Sequence, residues 1–172
     1  NAASGVLYLI DTPFGDQQVD GAVGGAILAL DENLSIESCL FEGNQAPFGG
    51  AIGIESYGEA NVFGTTFHAN VSQLPEEWEG EGWSPYQDEP GQGGAIFANE
   101  NATVTLTNSI VFGNHSDLGL DISDGATIIY SDIEGAWDGA GNIDADPLFV
   151  NDDPDTGPID LHLQPGSPCI DA

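Results

Sequence analysis

The chain contains no lysine and no arginine, against 29 aspartates and glutamates among 172 residues. Salt bridges to Lys or Arg are therefore excluded, and the only protein cations are a free N-terminal amine and whatever fraction of His68, His115 and His162 is protonated. Two carboxylates roughly 5 Å apart repel by about 1 kcal/mol in water and by several times that near a protein surface, so a dense acidic exterior opposes the compact state unless solution cations screen it. Nucleic acid is excluded as a direct partner, because no residue could neutralise its phosphates. Anionic membranes are disfavoured for the same reason. Trypsin finds no site in the denatured chain, which would suit a protein living outside the cell. No apolar run approaches the ~20 residues that span a bilayer, so direct membrane insertion is not expected. The chain starts at Asn1 without Met or a basic leader, as expected of a processed mature protein or a piece of a longer one.

A repeat organises what is present. Gly-Gly-Ala-Ile occurs at residues 24–27, 49–52 and 93–96, and Phe-x-x-Asn at 41–44 and 67–70, with Val-x-x-Asn at 111–114. From the first Gly to the Phe or Val is 17 residues in the first copy and 18 in the other two. Constant internal spacing marks a solenoid, whose units cannot bury an apolar face alone and must stack. Residues 34–36, 60–62 and 104–106 lie at equivalent places, and the first and last of these alternate apolar and polar, which favours strands; no helical period is sustained. At ~3.3 Å per residue a coil of 25 residues has a perimeter of about 80 Å, enough for three short faces. The fold expected is all-β, a parallel β-helix of about five coils plus a closing segment, forming one domain over residues 1–172. Phe41, Phe67 and Val111 are expected to stack inward, and Asn44, Asn70 and Asn114 to form a ladder of amides bonded from coil to coil.

This alternation of Gly-Gly-Ala-Ile with Phe-x-x-Asn resembles the repeat of chlamydial polymorphic outer-membrane proteins and related bacterial right-handed β-helix surface proteins. The C-terminus, Asn-Ile-Asp-Ala-Asp-Pro-Leu-Phe at 142–149 and Leu-His-Leu-Gln-Pro-Gly-Ser-Pro-Cys-Ile-Asp-Ala at 161–172, resembles the closing coil of secreted β-helix proteins that carry a choice-of-anchor domain. The resemblance implies a right-handed helix, export and surface display. It implies no single reaction, because function resides in sites rather than folds.

Two regions depart from the repeat. Between the second and third Gly-Gly-Ala-Ile copies the spacing rises to 44 residues, an insertion expected as a projecting loop over 71–92. There Trp78, Trp83 and Tyr86 sit among acidic residues and prolines; they either contact a glycan or neighbouring subunit or pin the loop to the flank. The C-terminal closing segment is expected over 144–172. Within it, Asn151, Asp153, Asp155 and Asp160 place oxygen side chains near Gly157, in part like a calcium loop but without its strict register; the alternative is a solvated acidic turn. Asp117, Asp121 and Asp124, or Asp31 and Glu32, are weaker metal candidates.

Cys39 aligns with Thr65 and Ser109, and is read either as a reduced, buried small residue or, with Cys169, as half of a disulfide that requires the tail to fold back. The sequons at Asn33 and Asn101 leave glycosylation open, whereas Asn70 and Asn114 belong to the ladder. The histidines lack metal-ligand spacing and take structural roles by default. No catalytic residue is assigned. Pectate-type lyases, which resemble this fold, use Arg or Lys as base, and a hydrolytic carboxylate pair is unidentifiable among so many acids. The expected function is a secreted or cell-surface structural module that self-assembles into a fibre, sheath or layer, or adheres, with calcium offsetting its acidity. Its partners would be copies of itself or an adjoining surface protein docked on an open N-terminal coil. The alternative is a carbohydrate-binding adhesin module that uses the 71–92 loop.

Overall fold

The computed structural model describes residues 6–10, 13–15, 23–30, 33–73, 91–117, 121–122 and 125–170. Among them there is no helix, and short strands follow one another in a fixed cycle. β1 (Val6–Ile10) and β2 (Pro13–Gly15) lead into a coil of β3 (Ile27–Leu30), β4 (Asn33–Glu37), β5 (Leu40–Glu42) and β6 (Gln45–Ala46). The cycle recurs as β7 (Ile52–Glu55), β8 (Glu59–Phe63), β9 (Thr66–His68) and β10 (Val71–Ser72). It recurs again as β11 (Ile96–Ala98), β12 (Thr103–Thr107), β13 (Ile110–Phe112) and β14 (His115–Ser116). A shorter turn follows, made of a bridge at Ile122, β15 (Thr127–Ile129) and β16 (Asp132–Ile133).

Each strand pairs in parallel with its counterpart one coil away, giving an all-β parallel β-helix with four faces. The first is β3-β7-β11, the second β1-β4-β8-β12-β15, the third β2-β5-β9-β13-β16 and the fourth β6-β10-β14. One face more than the perimeter suggested is present, because strands of two residues are too short to carry a period that a sequence could display.

The register converts the repeat into apolar columns. Ile27, Ile52, Ile96 and Ile122 stack behind the first face; Ile36, Val62, Leu106 and Ile128 behind the second; Phe41, Phe67, Val111 and Ile133 behind the third. All are buried in one continuous core, where each large side chain contributes about 1.5–3 kcal/mol by leaving water. The rings of Phe41 and Phe67 are parallel within 6° at 5.0 Å. At the Gly-Gly corner, Gly49 has φ 65°, and a Cβ on Gly50 would stand 2.2 Å from the Gly94 carbonyl oxygen of the next coil. Only glycine permits that approach.

Val71 and Ser72, at the start of the expected insertion, belong to the stack as β10, and Gln92 rejoins it by bridging Phe48. Register is continuous from β7 to β11, since Ile96 pairs with Ile52. Trp78, Trp83 and Tyr86 lie outside the described residues.

Residues 144–170 take a path that a closing segment need not take. They form an antiparallel hairpin of β17 (Phe149–Asn151) and β18 (Asp160–Leu163) that lies back along the outer side of the third face. Phe149 is buried there, edge-on to His68 at 5.7 Å and to Phe112 at 6.4 Å. Both partners point outward from the third face, so their rings offer the apolar cover that Phe149 needs.

Asn70 is hydrogen-bonded to Asn44 on one side and to Asn114 on the other. We expect Asn70→Ala to lower the unfolding free energy by about 3 kcal/mol in urea titrations, because it leaves buried backbone groups of the preceding coil unpaired.

Candidate functional site

Two columns of neutral polar side chains tie the coils together. Past the corner that follows the third face, the Oδ1 of Asn70 accepts from the backbone N–H and side-chain amide of Asn44, at 3.1 and 2.9 Å. The Oδ1 of Asn114 does the same for Asn70, at 3.0 and 2.9 Å. Asn70 and Asn114 also donate to the carbonyls of Phe41 and Phe67, so each amide serves two coils. Asn44 and Asn70 are fully buried, and a glycan cannot be attached there.

The second column follows the corner after the second face. Cys39 donates its N–H to Thr65 Oγ1, Thr65 to Ser109 Oγ, Ser109 to Ser131 Oγ, and Ser131 to Asn142 Oδ1. Each hydroxyl donates in turn to the carbonyl two residues back, as the Cys39 thiol does to Glu37. The residue before each member has left-handed backbone: Ser38 (φ 53°), Gly64 (59°), Asn108 (50°) and Tyr130 (51°). For a residue with a Cβ this costs roughly 1–2 kcal/mol. Tyr130 departs from this row of small residues and is 52% exposed.

The amide column ends on charge. Asp121 accepts a hydrogen bond from the Asn114 side chain, while Glu134 accepts one from Gly113 N–H at 2.6 Å. Burial and, next, the nearby Glu134 push the Asp121 carboxyl up to about 6; His115 and the Asn114 bond act the other way. Asp117 accepts from Gly91 N–H at 3.1 Å. Asp31, Glu32 and Asp124 lie outside the described residues.

A third polar cluster latches the tail. Asp132 is buried; its Oδ1 accepts from Ala145 N–H at 3.0 Å and its Oδ2 from the Cys169 thiol at 2.9 Å. Both cysteines are free, although the tail does fold back. Burial, reinforced by the Asp132 carboxylate, raises the Cys169 thiol to about 12. Between this latch, the hairpin and the Tyr130 corner lies a cleft of about 450 Å³.

The candidate calcium residues are engaged locally. Asn151 Oδ1 accepts from Thr156 Oγ1 at 2.7 Å, Asp153 Oδ1 from Asp155 N–H at 2.9 Å, and Asp160 Oδ1 meets His162 Nδ1 at 2.6 Å. The His162 bonds hold the Asp160 carboxyl below its ordinary value. Among the described residues no three His, Cys, Asp or Glu side chains converge as a metal set. His68 Nδ1 lies 3.0 Å from the Phe112 carbonyl, which makes that nitrogen the donor. Trp137, a tryptophan outside the repeat and the insertion, packs on the core after β16.

Residues 38–55 match the Chlamydia polymorphic membrane protein repeat. They run from the first hydroxyl-column corner through Phe41, Asn44 and the Gly-Gly corner to β7, and so hold a strand of the third, fourth and first faces but none of the second. The chain is also similar to metabotropic glutamate receptor-like protein R of Dictyostelium discoideum, 30% identical over 95 residues, which is 55% of this chain and 5% of that protein. It thus spans a small fraction of that relative's length. No solved structure matches.

Because the Asp121 pKa is raised on folding, the stability linked to it is fully present below the unfolded value of 3.8 and is lost as pH rises through about 6. Asp121→Asn is therefore expected to be more stable than the parent at pH 7.5, by up to about 3 kcal/mol, and to lose that advantage near pH 4 in urea unfolding. The thiols should be inert: at pH 8 Ellman's reagent should label neither in the native protein and both in guanidinium.

Proposed function

We propose that this chain is a structural β-helical module of a secreted or cell-surface protein. The observation that carries the reading is the repeat match at residues 38–55, which falls on the side chains and corners that build a coil. That repeat is described from membrane proteins of Chlamydia, and the matched stretch is one part of the stack here. A module within a far longer polypeptide fits the proportion of the Dictyostelium protein that is matched, and that protein is described as receptor-like.

The module acts as a rigid spacer or layer element and contacts copies of itself or an adjoining surface protein. Among the described residues β1 and β2 stand at the edges of their sheets, and edge strands offer backbone groups to a further coil. With a formal charge of −29 and no Lys or Arg, divalent cations, calcium foremost, lower the repulsion between neighbouring faces and between subunits.

Antibodies raised against the purified chain should label intact cells of the source organism; labelling only after permeabilisation would overturn the surface reading. In low-salt buffer, where surface charges are poorly screened, about 5 mM calcium should raise Tm and excess chelator should reverse it. Equal melting in calcium, chelator and ~1 M sodium chloride would remove cations from the account.

A further inference from the structure

We propose that the cleft between the C-terminal hairpin and the corner of the second and third faces binds one unit of an uncharged glycan, with Tyr130 as its stacking platform. The inference goes beyond surface placement and does not depend on it.

It starts from a residue the fold does not require. At the equivalent corner the three preceding coils place Ser38, Gly64 and Asn108, all small and suited to a turn, and the fourth places a tyrosine in the same left-handed conformation. Burial does not offset that cost, since Tyr130 is more than half exposed. Its ring rests against Gly141, where an added Cβ would come 2.3 Å from Cδ1, so the ring is held in place while much of it remains free. A strained, pre-positioned aromatic at the rim of a cavity is explained by what it contacts.

The cavity has the chemistry of a sugar site. Its volume of about 450 Å³ falls within the range of small-ligand pockets. Its lining includes Thr66 and Asn108, which carry a hydroxyl and an amide, and the apolar Leu161 and Leu163 of the hairpin. An aromatic face with hydroxyl and amide partners suits a sugar ring, which has apolar C–H faces and a polar rim. The charge of the ligand is also constrained. Asp132 lines the same cleft, and the whole chain has no Lys or Arg to pair with a uronate, sulfate or phosphate. An anionic sugar would enter unpaired next to a carboxylate, whereas a neutral one enters without that penalty.

The test uses the purified chain, so a negative result leaves the surface placement standing. Neutral gluco-, manno-, galacto-, xylo- and chito-oligosaccharides are screened by glycan array and titration calorimetry beside uronate and sulfated counterparts. At least one neutral series should bind and the anionic counterparts should not. Tyr130→Asn, which removes the ring but keeps a residue type that Asn108 shows to fit this corner, should weaken binding at least about tenfold with no loss of Tm. Thr66→Ala should weaken it less. Absence of binding by every neutral series, equal binding of uronates, or unchanged affinity in Tyr130→Asn would each overturn the proposal.

Discussion

The coil-to-coil hydrogen bond made by an uncharged side chain is the interaction on which this fold depends. A chain without Lys or Arg has no long cationic side chain to bridge one coil to the next, so amides and hydroxyls take that place. They form two columns, one through Asn44, Asn70 and Asn114, the other through Thr65, Ser109, Ser131 and Asn142. Neutral groups can be buried at modest cost when every donor finds an acceptor, and burial keeps water from competing for those bonds. The apolar columns supply the driving force, while the polar columns set the register at which the columns meet.

Among the described residues, carboxylates are consequently kept out of the apolar core. Two of them are informative. Asp121 meets the last amide of its column and stays there at the expense of a raised pKa. Asp132 is buried because it receives a backbone N–H and a thiol, two neutral donors standing where most proteins would place an arginine. The latch thereby joins the tail to the last turn of the third face without a disulfide or an ion pair.

How much of this was legible in the sequence depended on whether a feature repeats. Asn44, Asn70 and Asn114, Phe41 and Phe67, and the Gly-Gly corners recur at fixed spacing, and the parallel β-helix follows from them. Cys39, Thr65 and Ser109 could be aligned, yet the continuation of their column to Ser131 and Asn142 could not, because spacing shortens in the last turn. Features that occur once were beyond reach. The path of residues 144–170 along the third face rests on contacts of Phe149 with His68 and Phe112, residues distant in sequence. Trp137 gave no periodic signal, and the cleft arises only because that tail returns. The strain at Tyr130 becomes visible only when the fourth corner is superposed on the other three.

The 44-residue spacing between Ile52 and Ile96 has a wider consequence. The stack regains its register on the far side, with Ile96 opposite Ile52 and Gln92 opposite Phe48, as though nothing intervened. Closing a longer excursion costs only slowly more entropy. This corner is therefore a natural grafting point, where foreign peptides or whole domains could be spliced in for display while the scaffold's architecture is inherited unchanged.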